Sequence, residues 1–247
     1  MNGMAVNRWV TGVARASARG NALCLPFAGG GASFYRAWAP LAPAGVAIRP
    51  VQLPGREERM GERPIDRMAA LVQAAADGMM SSLDTPYVLF GHSMGALVAF
   101  ELAHALRERG APPPVHLFVS GSPSPKLAEL VTPIFQLPGE QFFEAVRHFG
   151  GLPDEVLRSP ELIALLMPRL CADLAVTGTY RHTPRPPLAV PITAFGGDAD
   201  HVVSSQAVEA WREETRAGFR CELFHGDHFF LKDAAPEIMS CFARALA

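Results

Sequence analysis

The chain has 247 residues, room for one sizeable α/β domain with an elaboration, and 49% of them are hydrophobic, enough to bury a substantial core. A formal charge of −2 gives no basis for expecting nucleic acid as a partner, and no apolar run approaches the length of a membrane span. Four cysteines (Cys24, Cys171, Cys221 and Cys241) stand far apart with no C-x-x-C, the pattern of reduced thiols rather than of a disulfide framework or metal site.

The amino-terminal stretch lacks the apolar core of a signal peptide. Arg8, Arg15 and Arg19 precede the first acidic residue, Glu57, the pattern of an Arg-rich transit peptide, but arginine among alanine and proline recurs along the whole chain. The stretch therefore reads as an ordinary lead-in to a first strand, and a cytoplasmic protein is expected. Apolar runs bounded by Gly and Pro follow at 22–26, 46–53, 87–90, 115–120, 190–195 and 220–224. Between most of them lie helical patterns, at 65–83, 96–109, 204–215 and 236–246. Continuous apolar strands alternating with helices predict a single α/β domain over 1–247, a mostly parallel sheet covered on both faces. Ligands of such sheets sit at the carboxyl ends of the strands.

One region breaks the alternation. From Gly121 to about Leu188 there is no convincing strand, only amphipathic pieces at 140–149 and 160–180 separated by Gly150-Gly151-Leu152-Pro153. Phe135, Phe142, Phe143 and Phe149 are too many aromatics for a solvated connection. Set between two sheet strands, the segment reads as a helical lid over the site with its aromatic faces turned inward, the alternative being a helical pair packed on the sheet edge.

The chemistry is concentrated around Leu89-Phe90-Gly91-His92-Ser93-Met94-Gly95. A bare G-x-S-x-G is weak, but this one lies between an apolar strand and a helical pattern, the context of a nucleophile elbow. Gly91 and Gly95 permit the tight turn, and the following helix aims its amino-terminal amides at the spot where an oxyanion would form.

A serine hydroxyl needs a base, and the base an orienting acid. In this topology they follow in the order acid, then histidine. The acid is sought after the run 190–195, in Gly196-Gly197-Asp198-Ala199-Asp200-His201. Asp200, further into the loop, is favoured to reach a histidine, while Asp198 is expected to hold the turn. The histidine is His228, past the glycine in His225-Gly226-Asp227-His228; His225 ends the strand and reads as structural. His225 and His228 as a metal pair lack further ligands at sensible spacing, so no metal is expected. For the oxyanion, one donor is the backbone amide of Met94, after the serine. The other comes from the glycine-rich loop Pro26-Phe27-Ala28-Gly29-Gly30-Gly31, where Ala28 is assigned and Phe27 is the alternative. No Lys-Ser/Thr follows that loop, so it is not a phosphate loop.

With these residues in view, the chain resembles the type II thioesterases, stand-alone editing enzymes of modular polyketide and non-ribosomal peptide synthases. The resemblance runs from Trp9 to the carboxyl terminus. It is anchored by Leu25-Pro26-Phe27-Ala28-Gly29-Gly30, Gln52-Leu53-Pro54-Gly55-Arg56-Glu57, the serine motif, Phe195-Gly196-Gly197-Asp198-Ala199-Asp200 and Gly226-Asp227-His228-Phe229-Phe230-Leu231. Asp227 departs from the glycine common there in relatives.

The resemblance implies an α/β-hydrolase core with a mobile helical lid, and hydrolysis of acyl groups from the phosphopantetheine arm of acyl or peptidyl carrier proteins. Carried over, Ser93, Asp200 and His228 form the triad and Ala28 and Met94 supply the oxyanion amides, with no metal or organic cofactor. Lys126, Arg181 and Arg185, at the ends of the proposed lid, are candidate contacts for an acidic carrier domain, or plain solvated charge. A medium-chain fatty-acyl thioesterase or a carboxylesterase would keep the chemistry and change the substrate. A receptor without turnover, or an acyltransferase or cyclase, are the further alternatives, and a monomer is the default state.

Overall fold

Every apolar run read from the sequence becomes a strand, and the period of two along each sends alternate side chains into two different cores. A computed structural model describes residues 7–13, 15, 17–129, 134–137, 139–149 and 158–247. Its six strands are β1 (Gly20–Leu25), β2 (Val46–Pro50), β3 (Tyr87–His92), β4 (His116–Ser120), β5 (Ile192–Gly197) and β6 (Phe219–Phe224). They form one sheet in the order β2-β1-β3-β4-β5-β6, every pairing parallel.

The helices that cover it include α1 (Ala32–Arg36), α2 (Met68–Met79), α3 (Met94–Glu108) and, near the carboxyl terminus, a helix over Ala235–Ala245. On β3, Leu89 joins the core under α2 and α3, while Val88 and Phe90 join Tyr35, Trp38 and Phe242 on the other face. The same split divides Leu23 and Leu25 from Ala22 and Cys24 on β1, and Leu117 and Val119 from Phe118 on β4. Burial on both faces is why these runs are continuously apolar rather than alternating.

Two elements differ from the sequence reading, each for a local reason. The run 46–53 is regular strand only to Pro50; beyond it Val51 still donates its N–H to the Cys24 carbonyl of β1 (2.9 Å), while its other edge bridges Val10 antiparallel. The pattern 204–215 is α-helical only over Ser205–Glu209 and tightens to a 3₁₀ turn over Ala210–Glu214. That turn sets the buried Trp211 where its indole N–H donates to the Ser122 carbonyl, 2.8 Å away.

Between β4 and β5 the chain forms α4 (Pro125–Ala128), α5 (Gly139–Phe149) and α6 (Pro160–Gly178). Ser159 caps α6 by accepting the Leu162 N–H, and Pro160 occupies the first turn, where its missing N–H costs nothing. Phe142, Val146 and Leu170 make a small core of their own, with Phe143, Met167 and Leu174 against it. Gly150-Gly151-Leu152-Pro153 and the Phe149 side chain lie outside the described residues. Where the segment rejoins the sheet, the Tyr180 hydroxyl donates to Glu101 of α3 (2.7 Å), and Arg185 pairs with the same carboxylate. The later helices are α7 (Ser205–Glu209) and α8 (Ala235–Ala245).

The buried histidines give stability a pH slope. His104 on α3 is 1% exposed, and its pKa is pushed down to about 3, mainly by burial and then by Arg185, Arg107 and His182. Below the ordinary histidine value of about 6.5, the unfolded chain takes up a proton that the folded chain refuses, so stability falls as pH falls. Glu214, whose carboxyl burial raises, opposes this at lower pH. The wild-type Tm is therefore expected to drop between pH 7 and pH 5, and His104→Gln to flatten that drop. Parallel slopes for the two proteins would show that His104 is protonated in the fold.

Candidate active site

β3 ends at His92 and α3 begins at Met94, so a single residue, Ser93, makes the reversal. It does so at φ 54° and ψ −120°, a strained conformation for a residue with a side chain, held by its N–H donating to the Ser120 carbonyl (2.7 Å). The turn has no space for side chains beside it. A Cβ on Gly91 would come within 1.9 Å of the Gly95 carbonyl oxygen, and one on Gly95 within 2.5 Å of the Leu25 oxygen. Ser93 is thus set at the carboxyl end of the central strand, ahead of the α3 amino terminus and its dipole.

The loop after β5 carries Asp200 and the loop after β6 carries His228. Asp200 Oδ2 lies 2.9 Å from His228 Nδ1, and both side chains are buried, at 0% and 5% exposure. Asp200 Oδ1 accepts the amides of Val202 (2.8 Å) and Val203 (3.1 Å). Burial alone would raise the Asp200 carboxyl, but the hydrogen bond and charge of His228 and these two amides outweigh it and hold the pKa below the ordinary value. Asp200 is therefore a carboxylate at neutral pH, able to hold the imidazole N–H. Asp198 is engaged elsewhere: it accepts the Gly226 amide (2.9 Å) and meets His225 Nδ1 at 3.2 Å, with the His225 side chain 95% exposed. The two Asp–His pairs are separate, one on the surface and one under it.

Ser93, His228, Met94 and Ala28 line one cavity of about 120 Å³. Its remaining wall is mostly apolar: Leu97 from α3, Ala128, Ile134 and Leu174 from the segment between β4 and β5, and Val202 and Val203 beside Asp200. Phe142 and Phe143, expected to line an acyl chamber, instead pack into the α5–α6 core; among the described residues that segment lines the wall with Ala128, Ile134, Leu174 and Thr177 and no aromatic side chain. An amphipathic pattern tells that aromatics are buried, not against what. Two of the three candidate docking cations have a carboxylate partner in the chain, Lys126 in an exposed pair and Arg185 in a largely covered one. Lys126 pairs with Glu213 (2.7 Å) and Arg185 with Glu101, while Arg181 donates to its neighbour's carbonyl at Tyr180.

Three residues the sequence reading left without a role surround the site. His92, fully buried beside the serine, shares a 2.9 Å hydrogen bond with Ser120 Oγ, its partner across the β3–β4 register. Its ring centroid is 5.0 Å from that of His228, and it also meets Phe27, Phe229 and Phe230. Burial first, then the His228 charge, keeps the His92 imidazole neutral, a packing hub rather than a second base. Arg56 and Asp173 form a buried ion pair behind the glycine-rich loop. Arg56 stands in a motif that flagged it; Asp173 sits in an apolar helix with no signal but its own charge.

A doubly covered parallel sheet with a serine elbow at the end of its central strand is the arrangement of the α/β-hydrolases. The thioesterase domain family matches residues 22–246. The gramicidin S biosynthesis protein GrsT of Aneurinibacillus migulanus is 39% identical over 242 residues, 98% of this chain and 94% of that one. RedJ, a thioesterase of the prodiginine pathway in Streptomyces coelicolor, superposes with a TM-score of 0.86 at 40% identity, covering 93% of this chain and 91% of its own. The type II thioesterase BorB of the borrelidin cluster gives a TM-score of 0.87 at 32% identity, over 97% and 98% of the two chains. The chain belongs to the thioesterase family and is a thioester hydrolase.

Proposed function

We propose that this enzyme removes acyl groups from the phosphopantetheine arm of acyl or peptidyl carrier proteins, using Ser93 as nucleophile, His228 as general base and acid, and Asp200 as the orienting acid. The observation that carries the reading is that Ser93 and the Asp200-bound His228 open on the same small, apolar cavity. His228 takes the Ser93 proton as the oxygen attacks the thioester carbonyl. The amides of Ala28 and Met94 hold the oxyanion, and the pantetheine thiol leaves with the proton from His228. Water, activated by the same imidazole, then releases the acid and frees the serine. In this reading the segment 121–188 is a lid, and the enzyme acts in the cytoplasm beside its synthase. No helix among the described residues is long and apolar enough to cross a membrane.

The cavity bears on substrate size. Its volume of about 120 Å³ and mostly apolar wall suit short acyl chains. Leu174→Ala is expected to move the optimum of kcat/KM to longer chains, by about fourfold per added methylene at ~0.8 kcal/mol each. An unchanged chain-length profile would remove Leu174 from the acyl wall. The direct test is hydrolysis of a panel of acyl groups on carrier protein and on coenzyme A. Faster turnover on carrier protein supports the editing reading; equal rates on both, unaffected by salt, leave an acyl-specific hydrolase without carrier recognition.

A further inference from the structure

Building on the oxyanion assignment above, we infer that Arg56 and Asp173 are positioning residues: their buried ion pair fixes the glycine-rich loop that carries Ala28 and makes its geometry depend on α6 being seated. The loop Ala28-Gly29-Gly30-Gly31 has almost no side chains with which to hold itself, and glycine backbone is the most costly to order. An oxyanion donor, however, acts only if it is already aimed. The structure supplies the missing restraints from outside the loop. Asp173 Oδ2 accepts the Gly29 amide at 2.8 Å, Arg56 Nη1 donates to the Gly30 carbonyl at 2.8 Å, and Arg169 Nη2 donates to the Gly29 carbonyl at 2.7 Å. Gly29 itself is at φ +78°, a conformation that these contacts keep in place.

The pair that makes two of those bonds is closed on itself. Arg56 Nη1 and Nη2 donate to Asp173 Oδ2 and Oδ1 at 2.9 and 2.7 Å, with the side chains 2% and 1% exposed. Gln52 Nε2 holds the Arg56 carbonyl at 3.0 Å. A buried ion pair is a poor device for stability, because desolvation consumes most of its attraction. It is a good device for register, because two planar groups with fixed hydrogen bonds admit one arrangement. Here it joins three segments: the loop after β1, the loop after β2, and α6 of the segment between β4 and β5. Asp173 and Arg169 both ride on α6. If α6 lifts, Gly29 loses its partners on both sides and Arg56 loses its counterion. The oxyanion loop is thus assembled by the same contact that closes the segment over the cavity.

The test is kinetic, on Arg56→Lys and Asp173→Asn, with active sites titrated by a fluorophosphonate so that misfolded protein is not counted. Both are expected to lower kcat per titrated site by about 10², the scale of losing one oxyanion donor, with KM for a short acyl-pantetheine unchanged. Affinity for an alkyl trifluoromethyl ketone, which forms a tetrahedral adduct on the serine, should fall by the same factor. The double variant should be no worse than either single one, since both act through one loop. Unchanged kcat per site with only a lower Tm would overturn the inference, as would a rise in KM alone. Should neither variant accumulate, hydrogen exchange on the wild type decides. Protection of the Gly29 amide equal to that of α6 supports the coupling, and exchange at the rate of an open loop refutes it. A still-active Ser93→Ala would sink the catalytic reading itself, and is told apart because it leaves these loop measurements untouched.

Discussion

Ser93→Ala is expected to abolish thioester hydrolysis, lowering kcat by about 10⁶, the scale on which removing a triad serine acts. The loss is so large because, in the proposed mechanism, every later step passes through the acyl-enzyme: without Oγ there is no bond for the carbonyl carbon to form. Folding should survive. The Ser93 side chain is small, the backbone hydrogen bond to Ser120 does not involve it, and the strained φ of 54° is set by the strand and helix on either side. The measurement is thiol release from a short acyl-pantetheine, with Tm as the control. A variant retaining even a tenth of the wild-type rate would falsify the nucleophile assignment.

Asp200→Asn comes next in expected effect, at about 10⁴ in kcat, while Asp198→Asn should leave kcat nearly unchanged. In the proposed mechanism the Asp200 carboxylate, 2.9 Å from His228 Nδ1, fixes the tautomer whose other ring nitrogen serves the serine. An amide in its place turns an N–H toward Nδ1 and selects the wrong tautomer. Its Oδ1 bonds to Val202 and Val203 can be kept by the asparagine oxygen, so the loop should hold and the loss should fall on chemistry rather than stability. Asp198, half exposed and bound to Gly226 and His225, has only a turn to maintain. If the order of the two effects were reversed, Asp198 would be the orienting acid.

Strands and the serine elbow were legible in the residues because both are written in local physics. A run buried on both faces must be continuously apolar, and a turn in which a Cβ at Gly91 would strike Gly95 must have glycine there. That Asp200 rather than Asp198 meets His228 was legible for a related reason: distance along a loop from a strand end limits what a short side chain can reach. Boundaries set by tertiary contacts were not, as at Pro50, where Val51 turns to Val10, and at Ala210, where the helix tightens to seat Trp211. Nor did the helical periodicity of 140–149 say whether Phe142 faced the cavity or α6; it faces α6.

What the sequence by itself determined is the class of chemistry: a serine at a strand–helix turn, followed in order by an aspartate and a histidine at later strand ends, within motifs of a thioesterase. These depend on spacing and on conformations that only certain residues adopt, so they survive being read as a string. What only the tertiary structure decided is which charges meet. Arg56 and Asp173 are 117 positions apart, yet both lie against Gly29 and Gly30. Lys126 and Arg185, which looked free to greet a partner, are paired with Glu213 and Glu101. An ion pair between distant segments leaves no periodic or local trace, because its partners are chosen by how the sheet and the segment above it pack.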